Sequence, residues 1–202
     1  MEKQLPYSST IKSRPLFYRE IQKFATLLIQ GFDDLEIKEQ VINQNIFQVK
    51  TEARRKEIVA TIHKRLKVLD DYLINKIITS DLNTSKLIVL YSIIRTDRLF
   101  YEFMNEVFSE KVTFQDLTLQ DRDFNIFFES KRQQSEKVSK WKDYTIYKLQ
   151  QVYLRILFEA GLLKNSKERE VQVPVINLDV LDHIRHIGEP RFINAIVGGG
   201  SV

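Results

Sequence analysis

The sequence predicts an all-α helical bundle around a long central helix, and three observations predict it. The stretch Asp81 to Phe108, DLNTSKLIVLYSIIRTDRLFYEFMNEVF, contains no Gly or Pro. Its apolar residues fall on two adjacent helical stripes. One runs Leu87, Leu90, Tyr91, Ile94, Tyr101, Phe108, and the other runs Val89, Ile93, Phe100, Phe103, Val107. A surface helix needs one such stripe, so two imply neighbours on most sides. The remaining chain reads largely as amphipathic helices joined by short polar turns.

Composition sets the frame. A chain of 202 residues is one large domain or two small ones, and 43% hydrophobic with 11% aromatic residues suffices for a sizeable core. The absence of cysteine excludes disulfides, thiolate zinc sites and cysteine nucleophiles together, and fits a cytoplasmic protein. The net charge of +4, from 31 basic and 27 acidic residues, is mild, so the placement of charge matters more than its sum. The opening MEKQLPYSSTIKSRP lacks the apolar core of a signal peptide. The longest nearly apolar run, Leu87 to Ile94, falls far short of the roughly 20 residues that span a bilayer, so no membrane partner is expected.

Taken in order, residues 1–14 are polar and read as loose until Pro15, which suits a first helical turn. Leu16 to Gln30 follows as a helix with Phe17, Ile21, Phe24, Leu27 and Leu28 on one side and Gly31 beyond its end. Asp33-Asp34 opens a short helix to about Asn43, acidic at its N-terminus as the helix dipole prefers. After a turn whose Ile46 and Phe47 dip inward, Thr51 caps a third helix from Glu52 to about Leu69. A short helix over residues 70–79 leads to the central one, and Lys111 to Leu117 reads as a loop or brief extended piece. Thr118 caps a helix from Leu119 to about Val138, with Phe124, Phe127 and Phe128 inward. Thr145 to Ala160 is amphipathic, buries Leu149, Val152, Tyr153, Ile156 and Leu157, and ends at Gly161. Val171 to Ile176 reads as a short strand, in the order found in winged-helix domains. Leu178 to Ile187 and Pro190 to Val197 are short helices before a GGGSV tail. The one seam lies near residues 69–81. It divides a helix-turn-helix-like N-terminal region (1–75) from a helical bundle with a winged-helix-like C-terminal end (76–202), unless the two are continuous.

Inside the central stretch, Arg95-Thr96-Asp97-Arg98 interrupts the apolar pattern and puts Arg98 on a buried stripe. A buried charge requires a partner, and Asp97 and Glu102 are the nearest carboxylates in sequence. Alternatively the stem of Arg98 packs while its head reaches the surface.

Two basic faces are the candidate binding residues. In the third helix Ile58, Val59, Ile62, Leu66 and Leu69 mark the buried side. Lys56, Ala60, Lys64 and Lys67 project opposite, with Arg54, His63 and Arg65 at the flanks. A basic face with a small residue at its centre can approach a phosphate backbone closely, and the same pattern also describes a solvated lysine face. The second segment holds Lys131, Arg132, Lys137, Lys140 and Lys142 beside Trp141, which either stacks on a base or sugar or anchors its loop by packing.

Catalysis finds no support. Gly198 to Gly200 follows no strand and opens no helix, so no phosphate cradle exists. Asp179, His183 and His186 share a helical face at a spacing able to seat a metal, but two imidazoles and one carboxylate on a short terminal helix usually just face water. Asp33-Asp34, Asp70-Asp71 and Asp121 with Asp123 sit at helix starts, where capping explains them. No catalytic residue, metal or cofactor is expected.

One ordered set of short motifs resembles a known family. It comprises Arg14-Pro15, Asn45-Ile46-Phe47-Gln48, Arg65-Leu66, Thr96-Asp97-Arg98-Leu99 with Phe103, and Phe127-Phe128-Glu129-Ser130-Lys131. It continues with Thr145 through Lys148-Leu149 to Glu159-Ala160-Gly161-Leu162-Leu163. Over residues 13–165 this resembles the BrxA family of bacteriophage exclusion (BREX) defence systems. The resemblance implies an all-helical fold similar to the antitermination factor NusB and binding of double-stranded DNA. It also implies a role beside a methyltransferase and an ATPase in blocking phage, and it supplies no catalytic residue. The expected function is therefore a non-catalytic DNA-binding accessory component that makes mainly phosphate contacts. The alternative is a protein-interaction scaffold of the same complex.

Overall fold

The structure, a computed structural model, describes residues 5–165 and 167–198. After a 3-10 turn at Thr10–Ser13 come α1 (Tyr18–Ile29), α2 (Asp34–Asn43), α3 (Glu52–Leu66), α4 (Asp71–Thr79) and α5 (Leu82–Thr96). Then follow α6 (Arg98–Phe103), a π-helical turn (Met104–Phe108), α7 (Ser109–Thr113), α8 (Asp121–Gln134), α9 (Glu136–Ser139) and α10 (Asp143–Glu159). Beyond a largely irregular segment lie α11 (Leu178–His186) and α12 (Pro190–Val197). The fold is all-α. The short strand expected at Val171 to Ile176 is absent among the described residues, where only the isolated bridges Leu163–Val171 and Thr118–Glu170 form. Pro174 has no N–H to donate to a ladder, which limits pairing on one side of that segment.

Caps fix the helix starts where the sequence placed them. Asp33 accepts from the backbone N–H of Leu35 and Glu36 while Glu36 returns a bond to Asp33, a complete capping box. Thr51 caps α3 and Asp81 caps α5. The outcome differs at five places. Pro15 lies outside the first turn of α1, because Phe17 adopts a left-handed conformation (φ 56°) just before it. Residues 5–14 are packed rather than loose, with Tyr7 and Ile11 buried. Helix α3 ends at Leu66, and the first three residues of the expected loop, 111–113, belong to helix α7. Gln120 rather than Thr118 precedes α8, with Asp123 closing its capping box.

The central stretch is not one helix. It breaks at Asp97 (φ −133°, ψ 106°), which ends α5 and caps α6 by accepting from the Phe100 N–H at 3.0 Å. Both halves nonetheless bury nearly every face. In α5 even the polar positions Thr84, Ser85, Ser92 and Thr96 are buried. Ser92 and Thr96 donate to carbonyls of the preceding turn, which satisfies their hydroxyls. One contiguous core cluster runs from Tyr7 to Ile196, including Phe100, Phe103, Phe124, Phe127, Phe128 and Tyr153. Replacing Asp97 with Ala removes the α6 cap and is expected to cost about 1–2 kcal/mol, read as a lower midpoint in urea denaturation.

Arg98 does find its carboxylate. Its Nε donates to Glu102 Oε1 at 2.7 Å, and its guanidinium lies 3.9 Å from the Tyr7 ring centroid. Tyr7 also donates to Glu102, so the N-terminal segment is tied to the centre of the bundle.

Candidate nucleic-acid interface

Helix α3 presents the alternation its sequence implies. Ile58, Val59, Ile62 and Leu66 are buried, while Lys56, Ala60, Lys64 and Lys67 are exposed one turn apart. The cations differ in how free they are. Lys56 pairs with Glu52 at 2.5 Å, and Lys64 donates to the Thr96 carbonyl at 2.8 Å. Arg54 bonds Glu57 and the Ser13 carbonyl, and His63 Nδ1 lies 3.3 Å from Asp34. Lys67 has no partner among the described residues.

Arg65 is not on that surface. It is 3% exposed and donates to three backbone carbonyls: Arg14 at 2.9 Å, Pro15 at 2.8 Å and Leu16 at 2.9 Å. Its guanidinium also lies 5.5 Å from the ring of Phe17, the residue in the left-handed conformation. Burial lowers its pKa to about 9, with nearby Asp97 opposing the fall, so it stays charged at neutral pH. Asp97 is pushed up by burial and drawn back by the Phe100 N–H, Lys64 and Arg65. Arg14, Lys64, Arg65, Thr96 and Asp97 together line a recess of about 30 Å³, room for little more than one water. Several residues that carry the family resemblance therefore converge on one structural lock.

The second segment is similarly divided. Lys131 is 2% exposed and bonds Glu102 at 2.8 Å and Glu106 at 2.6 Å. Burial opposes its charge, but those two carboxylates raise its pKa above the ordinary lysine value. Arg132 pairs with Asp143 at 2.6 Å and Lys140 with Glu136 at 2.6 Å. Lys137 and Lys142 are exposed, without a carboxylate partner among the described residues. Trp141 is half-buried against the core, which makes it a packing anchor. What sequence reasoning missed lies just beyond: Tyr144, Tyr147 and Phe158 on α10 are exposed. The signal was their helical offset from the buried Leu149, Val152, Tyr153, Ile156 and Leu157.

No group of three or more His, Asp or Glu side chains among the described residues is placed to hold a metal. His183 instead lies 2.6 Å from Asp70 and tilts over the Tyr72 ring at 4.2 Å, tying α11 to the start of α4. No helix among the described residues is long and apolar enough to cross a membrane.

Fold and surface thus define an all-α protein with a buried arginine lock and two separate sets of outward lysines. The chain belongs to the BrxA family, whose model matches residues 5–188. It is 58% identical over 199 residues to the BREX protein BrxA of Bacillus cereus (strain H3081.97), covering 98% of this chain and all of that protein. It is 22% identical to the BREX protein BrxA of Escherichia coli O9:H4 (strain HS), covering 91% and 86% of the two chains. The crystal structure of an uncharacterized protein from Magnetospirillum magneticum shares the fold with a TM-score of 0.81 at 23% identity, covering 94% of this chain and 97% of that one.

Proposed function

We propose that this BrxA-family chain serves BREX phage defence as a non-catalytic DNA-binding component that grips duplex DNA through phosphate contacts. The observation that carries the reading is the exposed row Lys56, Ala60, Lys64, Lys67 on α3, where a small residue leaves room for close approach. Lysine ammonium groups neutralise phosphates without reading base edges, so affinity should fall steeply with salt and vary little with sequence. Lys137, Lys140 and Lys142 offer a second set of contacts. Arg65 and Lys131 bind inside the protein and stabilise it instead.

The test is fluorescence anisotropy with a labelled duplex across a salt series, comparing wild type with a Lys56→Gln, Lys64→Gln, Lys67→Gln variant. Glutamine removes charge without placing a carboxylate beside Asp97. Each lost phosphate contact should flatten the log–log salt slope by about 0.9. An unchanged slope and affinity would remove α3 from the interface and move the search to Lys137, Lys140 and Lys142.

A second reading, docking of another BREX protein such as the methyltransferase or the ATPase, has its own support. An open groove of about 620 Å³ between the π turn with α7 and α8 is lined by exposed Phe114 and Ile126 and rimmed by Glu106, Glu110 and Asp116. Salt-insensitive association with a purified BREX protein, lost in Phe114→Ser, Ile126→Ser, would favour docking.

A further inference from the structure

The outward face of α10 carries a pattern that neither lysine set contains. Tyr144, Tyr147, Lys148, Gln151, Arg155 and Phe158 recur at helical spacing and fall within one stripe of about 100°. Tyr144 is 67%, Tyr147 53% and Phe158 45% exposed, a large uncovered aromatic area for one helix. Lys148 Nζ lies 5.3 Å from the Tyr144 ring centroid and 5.8 Å from that of Tyr147, so the ammonium sits against both rings.

The charges beside the stripe are one-sided. Asp143 is engaged by Arg132 at 2.6 Å. Glu159 is engaged by Arg155 at 2.7 Å and by the Leu16 N–H at 3.0 Å. Lys148, and Lys142 just before the helix, have no carboxylate partner among the described residues. The face therefore offers three rings and uncompensated positive charge. It contains no Leu, Ile, Val or Met, the aliphatic side chains that usually fill a protein-docking seam.

We propose that this face of α10 is a stacking platform for the unpaired bases of single-stranded nucleic acid. Every base has a π face, so Tyr144, Tyr147 and Phe158 would accept bases with little sequence preference while Lys142 and Lys148 contact the backbone. From residue 144 to residue 158 the helix rises about 21 Å, long enough to hold a short run of extended strand. The assignment goes beyond duplex binding by α3 and does not depend on it.

The experiment uses the full chain and a labelled twelve-nucleotide oligothymidylate in anisotropy at low salt, beside the duplex. A Tyr144→Ser, Tyr147→Ser, Phe158→Ser variant changes only exposed side chains, and an unchanged far-ultraviolet circular dichroism spectrum verifies its fold. It should lose roughly ten-fold or more in oligothymidylate affinity for each ring engaged. Tyr144→Phe, Tyr147→Phe keeps the rings and should bind like wild type. The α3 glutamine variant should also keep its oligothymidylate affinity, so failure of the duplex reading and failure of this one are separately visible. The proposal is overturned if wild type does not bind the oligonucleotide, or if the serine variant binds it undiminished. It is equally overturned if the serine variant loses duplex and single strand to the same extent. If the serine variant keeps oligonucleotide binding but loses association with a purified BREX protein, the face is a protein contact and the proposal fails.

Discussion

Replacing Arg65 with methionine should lower stability by about 3–5 kcal/mol, as much as emptying a core position. Methionine keeps much of the apolar stem but none of the donors. The Arg14, Pro15 and Leu16 carbonyls would lose a shared partner at a buried site. Each buried acceptor left without a bond costs about 1–3 kcal/mol, with partial relaxation reducing the sum. Phe17, next in the chain to those carbonyls, sits in the left-handed region, a conformation that costs about 1–3 kcal/mol and persists only where its surroundings over-determine it. In a chain of this size the loss corresponds to a fall of roughly 10 °C or more in melting temperature. Arg65→Lys restores charge but not the planar fork that reaches three carbonyls, so it should recover only part of the loss. A methionine variant within 1 kcal/mol of wild type would refute the lock. Where the variant remains folded, it should bind duplex DNA as wild type does, because the guanidinium never reaches the surface.

The contrast between Arg65 and its neighbours explains which parts of the molecule could be read from the sequence. Helical periodicity and caps are local, and they placed α2, α3, α8, α10, α11 and α12 to within a few residues. They also brought Glu102, four residues away, into the pair of nearby carboxylates offered to Arg98, and it is Glu102 rather than Asp97 that Arg98 bonds. Arg65 and Lys131 were read as surface cations because their partners are distant in sequence. Arg65 reaches across 49–51 residues, and Lys131 reaches 25 residues back to Glu106. No window of helical length contains those partners.

The break at Asp97 escaped for a different reason. Both halves of the central stretch bury most of their surface, so the apolar pattern continues across the interruption. The local clue was an aspartate, a favoured cap, standing within an apolar run. The Val171 to Ile176 segment erred the opposite way: alternating valines suggested a strand, but a strand also needs a partner ladder, and Pro174 limits one. On α10 the sequence reading followed the inward stripe of Leu149, Val152, Tyr153, Ile156 and Leu157 and assigned nothing to Tyr144, Tyr147 and Phe158, which are exposed. Burial is a one-way rule, and uncovered large rings are the informative exception.

Replacing Lys131 with methionine should cost about 3 kcal/mol and do so within a defined pH window. The side chain is 3% exposed, and its ammonium is shared between Glu102 and Glu106. Removing one member of a buried ion cluster typically costs about 3–5 kcal/mol because the remaining charge is left uncompensated. Here Glu102 keeps Arg98 and Tyr7, and Glu106 is partly solvated, so the low end applies. Burial alone would raise the Glu102 pKa, but hydrogen bonds from Lys131, Arg98 and Tyr7 outweigh it and hold the carboxyl below its ordinary value of 4.5. Its contribution is thus fully present above that value and disappears as pH falls through the lower folded-state pKa. Lys131 is shifted upward from 10.5, so its contribution is present below that value and disappears as pH rises through the higher folded-state pKa. The stability gap between wild type and Lys131→Met should therefore be flat between about pH 5 and pH 10 and narrow outside it. Urea denaturation of both proteins across this range measures the gap directly. A gap that is absent at pH 7, or that persists unchanged well below pH 4, would mean the cluster does not tie α8 to the centre of the bundle. Glu102→Gln provides the complementary measurement, because it leaves the Lys131 ammonium with only the more solvated Glu106 and should destabilise the fold most at neutral pH.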